Sequence, residues 1–168
     1  HRDRAILTDS GGFQAFSLSK LTKLNDRGVL FRSHLNGDEH LFTPESTVDV
    51  QRSLGSDITM VLDECLAYPS SHESTKKSMH RTVQWARQSF AHFDTCKDAP
   101  PCGLPQALFP IVQGGMYADL RKECAERLVE LDAEGYAIGG LSVGEPRELS
   151  MAMTEAAMPA LPADRPRY

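Results

Sequence analysis

Four times in this sequence a short apolar run ends in a polar or glycine-rich turn, and each is separated from the next by a helix-forming stretch. The runs are Ala5–Thr8, Asp57–Leu62, Ala107–Val112 and Ala137–Ile138. Behind them stand Asp9-Ser10-Gly11-Gly12, Asp63-Glu64-Cys65, Gln113-Gly114-Gly115 and Gly139-Gly140-Leu141. Parallel strands cannot be joined by tight turns; each pair needs a long crossover, and a helix supplies it. The alternation therefore predicts an α/β fold with a parallel sheet. All four turns then fall at the C-terminal ends of strands. In a (β/α)8 barrel those ends meet at one mouth, and in a doubly wound sheet they line one crevice. Either way, one pocket is assembled from four distant stretches. Four strands are about half of a barrel, so a barrel reading makes this a partial one with an open edge.

The helices carry their own signals. Thr43-Pro44 starts one, with Thr43 as N-cap and Pro44 at the first helical position, and Gly55 ends it. Val48, Val50 and Leu54 are its expected buried side. From about Glu73 to Phe93, Met79, Val83, Ala86, Phe90 and Phe93 recur at spacings of three and four, which makes one buried face. Residues 94–105 (DTCKDAPPCGLP) read as a loop, because adjacent prolines exclude an ordinary helix. Leu120, Cys124, Leu128 and Leu131 mark a helix over about 118–131, and 146–157 reads as the next. Before the first helix, LFRSHLNGDEHLFT reads as a hairpin with Asn36-Gly37 in a type I′ turn, while Lys20–Leu24 has no clear period.

The formal charge of −5 argues against broad electrostatic coating of nucleic acid, although basic clusters stand at Lys20, Lys23, Arg27 and Arg32 and at Lys76, Lys77, Arg81 and Arg87. Cys65, Cys96, Cys102 and Cys124 include no CxxC pair and no recognisable zinc framework, so reduced, mostly buried thiols in a cytoplasmic protein are expected. No apolar run approaches the length of a membrane span. His1 opens directly onto an apolar run and Tyr168 follows the Pro-rich PALPADRPRY, so the chain reads as a segment of something longer.

Several chemistries fail on motif grounds. DSGGFQ lacks the Lys-Ser/Thr of a phosphate loop, no GxGxxG occurs, and Ser10 has no GxSxG elbow. What remains is a site with two carboxylates, one primary amide and exposed backbone N–H groups in glycine turns. Those groups are complementary to a flat heterocycle. A carboxylate accepts a pair of N–H bonds from an amidine-like edge, and an amide or a glycine N–H donates to a ring carbonyl. Guanine offers that pattern, with Asp63 as the reader and Asp9 as a candidate acid/base. Two blander readings stay open: an α/β enzyme for another substrate, and structural use of the same turns, with Asp9 and Asp63 as caps and Gln113 as a loop tie.

TDSGGFQ at 8–14, FRSHLNG at 31–37, TPE at 43–45, VLDEC at 61–65, IVQGG at 111–115 and IGGLSVGE at 138–145 resemble, in order, the queuine/archaeosine tRNA-ribosyltransferases, or tRNA-guanine transglycosylases. The resemblance implies an irregular (β/α)8 barrel that exchanges guanine at the wobble position of GUN-anticodon tRNAs for a deazaguanine in queuosine biosynthesis. The exchange it implies is a double displacement through a covalent ribosyl-aspartate. It implies Asp9 as acid/base and Ser10, Gly11, Gly12 and Phe13 as the substrate-binding turn, with Phe13 stacked on the base. Asp63 would read N1–H and the amino group, Gln113 and the Gly140 N–H would read O6, and the Leu141 carbonyl, beside Gly139, would meet an aminomethyl substituent. Cys65 and Val143 resemble the bacterial form, which takes 7-aminomethyl-7-deazaguanine, since a β-branched Val143 narrows the room for queuine.

The nucleophilic aspartate, a structural zinc on three cysteines and a histidine, and the residues gripping the anticodon stem-loop are all implied beyond this segment. Cys96, Cys102 and Cys124 fall in the wrong part of the family pattern to be those zinc ligands. The segment alone is expected to be inactive, and the full-length protein a homodimer. A non-catalytic tRNA- or base-binding subunit of the same family is the alternative.

Overall fold

A computed structural model describes residues 4–12, 22–33 and 36–168. Phe13, His34 and Lys20 lie outside them. Eight strands are present among the described residues: β1 (Leu7–Thr8), β2 (Thr22–Asn25), β3 (Gly28–Arg32), β4 (Glu39–Phe42), β5 (Ile58–Met60), β6 (Ala107–Phe109), β7 (Ile111–Val112) and β8 (Ala137–Ile138). Four α-helices accompany them: α1 (Pro44–Ser53), α2 (His72–Cys96), α3 (Ala118–Val129) and α4 (Arg147–Ala157).

The architecture is mixed α/β. β1 pairs in parallel with β5 and β5 with β6, with Leu7 opposite Ile58 and Ile58 opposite Ala107. β7 pairs in parallel with β8, Ile111 opposite Ala137. The predicted strand 107–112 is thus broken once, at Pro110, which lacks the N–H that a ladder needs. Its carbonyl still accepts from Ala137 N–H at 2.9 Å, so the path stays continuous. Beyond β8 the chain returns at 166–168, where Tyr168 N–H donates to Tyr136 and Ile138 N–H to Tyr168, both carbonyls, at 2.9 and 2.8 Å. Tyr136 and Arg167 form an isolated parallel bridge there, a pairing the sequence reading does not anticipate.

The helices cover this sheet. Val61, Met79, Val83, Leu108, Val112, Leu120 and Leu128 belong to one buried cluster between strands and helices. The 3.6-residue face read for α2 is present: Met79, Val83, Ala86 and Phe93 are buried, with Phe90 partly so. In α1, Thr43 caps the helix and accepts from Ser46 N–H at 3.2 Å, as the sequence predicts. Its buried side differs from the expected one. Val48 is buried, but Val50 and Leu54 are 49% and 66% exposed. Thr47, Gln51 and Arg52 take the inner positions instead. Gln51 is paired there with strand backbone, donating to the Met60 carbonyl at 2.8 Å and accepting from Met60 N–H at 2.9 Å. A buried polar side chain is tolerated when it is fully bonded in this way.

The hairpin is larger than its motif suggests. β2, β3 and β4 form a three-stranded antiparallel sheet, and β2 falls where no period is visible in the sequence. Arg32 lies opposite Glu39, so 33–38 form a six-residue connection, not a two-residue type I′ turn. Gly37 N–H bonds to the Ser33 carbonyl at 2.9 Å to close it. Gly28 is required beside β4, because a Cβ there would stand 2.0 Å from the Phe42 carbonyl oxygen. Fully buried Trp85 of α2 donates its indole N–H to the Asp26 carbonyl at 2.9 Å and pins the sheet to the helix.

Candidate active site

All four strand-end turns line one cavity. Asp9, Asp63, Cys65, Gln113, Gly139, Gly140 and Leu141 all face a space of about 370 Å³, together with Leu7, Met60, Ile111, Ala137, Ile138 and Tyr168. This is the convergence expected of parallel strand ends. It joins residues more than a hundred positions apart.

Asp63 sits at its centre. The residue is 6% exposed, and its carboxylate accepts from the Gln113 amide N–H at 2.6 Å. Burial pushes its pKa up to about 7, with the Asp9 charge adding to the rise, while hydrogen bonds from Gln113 and Ser10 oppose it. Such a carboxylate is costly to keep ionised alone. A ligand offering paired N–H donors would restore what water supplies outside.

The glycines are where they are because side chains would not fit. A Cβ on Gly12 would stand 2.2 Å from Asp63 Oδ1, and one on Gly140 would stand 2.2 Å from Gln113 Oε1. Gly140 also has φ +63°, a left-handed conformation that glycine adopts without strain. Asp9-Ser10-Gly11-Gly12 folds onto itself: Ser10 N–H donates to Asp9 Oδ1 at 2.7 Å and Gly12 N–H to the Ser10 hydroxyl at 3.3 Å. The turn is therefore self-capped, and it packs directly against Asp63.

Two placements refine the sequence reading. Gln113 already spends one amide N–H on Asp63, so only its second N–H is left for a ring carbonyl. Val143 lies on a neighbouring cavity of about 300 Å³, with Leu66, Tyr68, Thr75, Tyr117 and Leu149, whereas Cys65 faces the first cavity. Phe13 lies outside the described residues. Cys65 is buried, and its thiol is pushed up to about 12 by burial and by the Asp63 charge, so it stays protonated at neutral pH.

Sequence reasoning missed Arg121. It is fully buried in α3 and donates to three carbonyls: Gly115 at 2.7 Å, Gly139 at 2.9 Å and Gly140 at 3.0 Å. One guanidinium thus ties together two of the four turns. Burial lowers its pKa to about 10, and it stays charged at neutral pH. The signal was present: Arg121 interrupts the apolar face of Leu120, Cys124 and Leu128. Glu145, read from sequence as a contact at the start of the last helix, holds the following turn. Its carboxylate accepts from Ser142 N–H at 2.5 Å, from Val143 N–H at 2.8 Å and from the Ser150 hydroxyl. Burial pushes Glu145 upward, but those bonds outweigh it and hold the carboxyl down at about 2.

The supposed basic cluster on α2 is largely neutralised. Lys77 pairs with Glu73, Arg81 with Asp26 and Glu64, and Arg87 with Glu130. The four cysteines are free thiols, with Cys65 and Cys124 buried and Cys102 exposed. Among the described residues no helix is long and apolar enough to cross a membrane.

The family model "Queuine tRNA-ribosyltransferase" matches residues 1–168, the whole chain. The chain belongs to this family. It is 63% identical over 165 residues to a queuine tRNA-ribosyltransferase of Solibacter usitatus, covering 98% of this chain and 43% of that relative. To the protein of that name from Caldanaerobacter subterraneus it is 55% identical over 167 residues, covering 99% of this chain and 42% of the relative. For the Lysinibacillus sphaericus protein the identity is 52% over 166 residues, again 99% of this chain and 42% of the relative. The chain therefore spans somewhat under half the length of the curated relatives it matches.

Proposed function

We propose that this chain is the base-recognition half of a (β/α)8 barrel that exchanges guanine in tRNA for 7-aminomethyl-7-deazaguanine at the wobble position of a GUN anticodon. The observation that carries this reading is Asp63: a buried carboxylate with raised pKa, bonded to Gln113 and facing a cavity with glycine N–H groups at its rim. An amidine edge, N1–H beside an exocyclic amino group, satisfies both Asp63 oxygens and favours its ionised form. The second Gln113 N–H and the Gly140 N–H then meet O6.

Asp9, exposed and lining the same cavity as the buried pair, serves as acid/base at the leaving and entering bases. The two displacements need a third carboxylate in line with C1′. Asp63 is used in recognition, Asp9 in proton transfer, and Glu145 is held by two backbone N–H groups and Ser150. Among the described residues no third carboxylate lines the cavity. The family resemblance implies a nucleophilic aspartate on a later strand, and on this reading the chain by itself does not catalyse exchange. The structural zinc of the full-length protein, its homodimer and its grip on the anticodon stem-loop likewise belong to residues beyond these. Val143 narrows the neighbouring cavity, which favours the small aminomethyl base over queuine in a cytoplasmic, bacterial-type enzyme.

The test is guanine exchange by the full-length enzyme carrying Asp63→Ala, with undermodified tRNA and labelled guanine. Loss of a buried, charge-assisted partner costs roughly 2–5 kcal/mol, so kcat/KM falls by at least about thirty-fold. Near-normal kcat/KM would remove Asp63 as the reader. The same assay with queuine as competitor checks base choice, and equal use of the two bases would overturn it.

A further inference from the structure

On the side of the molecule formed by α1 and α2, three side chains with different donor atoms converge. Asp49 of α1 and His92 and Cys96 of α2 present a carboxylate oxygen, an imidazole nitrogen and a thiol sulfur, all within 4.8 Å of one another. His92 and Cys96 are one helical turn apart, the spacing that puts two ligands on one face. Asp49 comes across from the adjacent helix, with its Oδ1 2.8 Å from His92 Nε2. We propose that Asp49, His92 and Cys96 form a binding site for a divalent cation of the zinc type, clipping α1 to α2.

Two further features favour a cation here. The two helices are held in place independently. Ser89 donates to the Pro44 carbonyl at 3.3 Å, and Arg52 reaches the carbonyls of Cys96 and Ala99 at 2.5 and 3.1 Å. The ligands therefore project from a prepared frame. His92 and Cys96 are half-buried, while Asp49 is exposed and leaves a route of entry.

The donor set selects the metal. One sulfur, one nitrogen and one oxygen suit tetrahedral Zn²⁺ or Co²⁺, with water as fourth ligand, whereas Mg²⁺ and Ca²⁺ take oxygen shells. Tetrahedral zinc spaces such ligands about 3.3–3.6 Å apart. Binding therefore requires Asp49 and His92 to part by about 0.5 Å, with all three donor atoms, within 4.8 Å of one another, settling at that spacing. The thiol proton leaves to water as the metal–sulfur bond forms, and neutral His92 supplies the nitrogen. This site is distinct from the three-cysteine, one-histidine zinc that the family resemblance implies elsewhere, and it does not rest on the proposed reaction.

The experiment is a Co²⁺ titration of the full-length protein, read by thiolate-to-cobalt charge-transfer absorption and tetrahedral ligand-field bands. One more Co²⁺ per chain is expected in the wild type than in Cys96→Ser, with the difference spectrum carrying the charge-transfer band. His92→Gln should weaken that extra site by at least about ten-fold, and Cys102→Ser should leave it intact. Equimolar Zn²⁺ should bleach the band, and excess Mg²⁺ should not. Identical spectra for the wild type and Cys96→Ser would overturn the site, and so would loss of the band in Cys102→Ser. Displacement by Mg²⁺ would overturn the assignment to zinc-type cations. If Cys96→Ser fails to fold, His92→Gln decides alone: unchanged cobalt affinity there overturns the proposal.

Discussion

The mouth of the parallel strands and the outer face of α2 use the same residue types to opposite ends. At the mouth, Asp63 and Arg121 are buried without being paired to each other; one is bonded to an amide and the other to three backbone carbonyls. Burial moves the Asp63 pKa up and the Arg121 pKa down. On the outer face, His72 pairs with Asp119 at 2.8 Å, His80 with Glu123 at 3.1 Å and Arg87 with Glu130 at 2.8 Å. There the carboxyls move the other way: hydrogen bonds from His72 and His80 lower Asp119 and Glu123. The difference teaches that at these two places solvent access sets the direction: burial dominates at Asp63 and Arg121, and hydrogen-bonded partners dominate at Asp119 and Glu123. A carboxylate stripped of water holds unspent binding capacity, and one in water does not.

The sharpest way to break the comparison is at Arg121. Replacing it by Met leaves the Gly115, Gly139 and Gly140 carbonyls without their donor in a dry interior, and should destabilise the fold by at least about 3 kcal/mol. Denaturant unfolding of the full-length protein measures this. A loss below about 1 kcal/mol would mean water replaces the guanidinium, and the mouth is wetter than described.

A second test reverses the usual direction. Asp63 has a folded-state pKa near 7, above the ordinary 3.8, so the folded state holds the extra proton between those values. Stability from this residue is therefore lost as pH rises from about 4 to 7, and the loss is complete above 7. Asp63→Asn removes the titration, so it should stabilise the protein by on the order of 2 kcal/mol at and above pH 7. The gain should shrink towards pH 4 while base exchange is lost throughout. Thermal melts across that range decide it. A pH-independent difference would show that Asp63 is not desolvated.

The smallest effect belongs to the outer face. Glu123→Gln loses pairing with His80 and Arg127 in a half-exposed setting, for about 0.5 kcal/mol at pH 7 in low salt. Because the folded carboxyl is depressed, its contribution is present above the ordinary carboxyl range and disappears as pH falls through the folded value. High salt should erase it as well. An effect as large as that of Arg121 would make the contrast between the two regions false.

What was legible in the sequence was local. The strand–turn–helix alternation, the Thr43 cap and the apolar face of α2 all follow from backbone geometry and periodicity within a few turns. The strand-end rule likewise singled out Asp9, Asp63, Gln113 and Gly140, which the structure brings to one cavity. The sequence alone did not determine which partners those side chains take. Asp63 and Gln113 are fifty residues apart and meet through parallel strands, so their bond exists only once the crossover helices have packed. Arg121 shows no function in isolation, since what it holds are carbonyls of turns on two other segments. Strand β2 was likewise invisible, for it is a strand by virtue of pairing with β3 and has no hydrophobic pattern of its own. Burial is a property of the whole packed molecule. The raised pKa of Asp63 follows from burial, so only the tertiary structure could decide it.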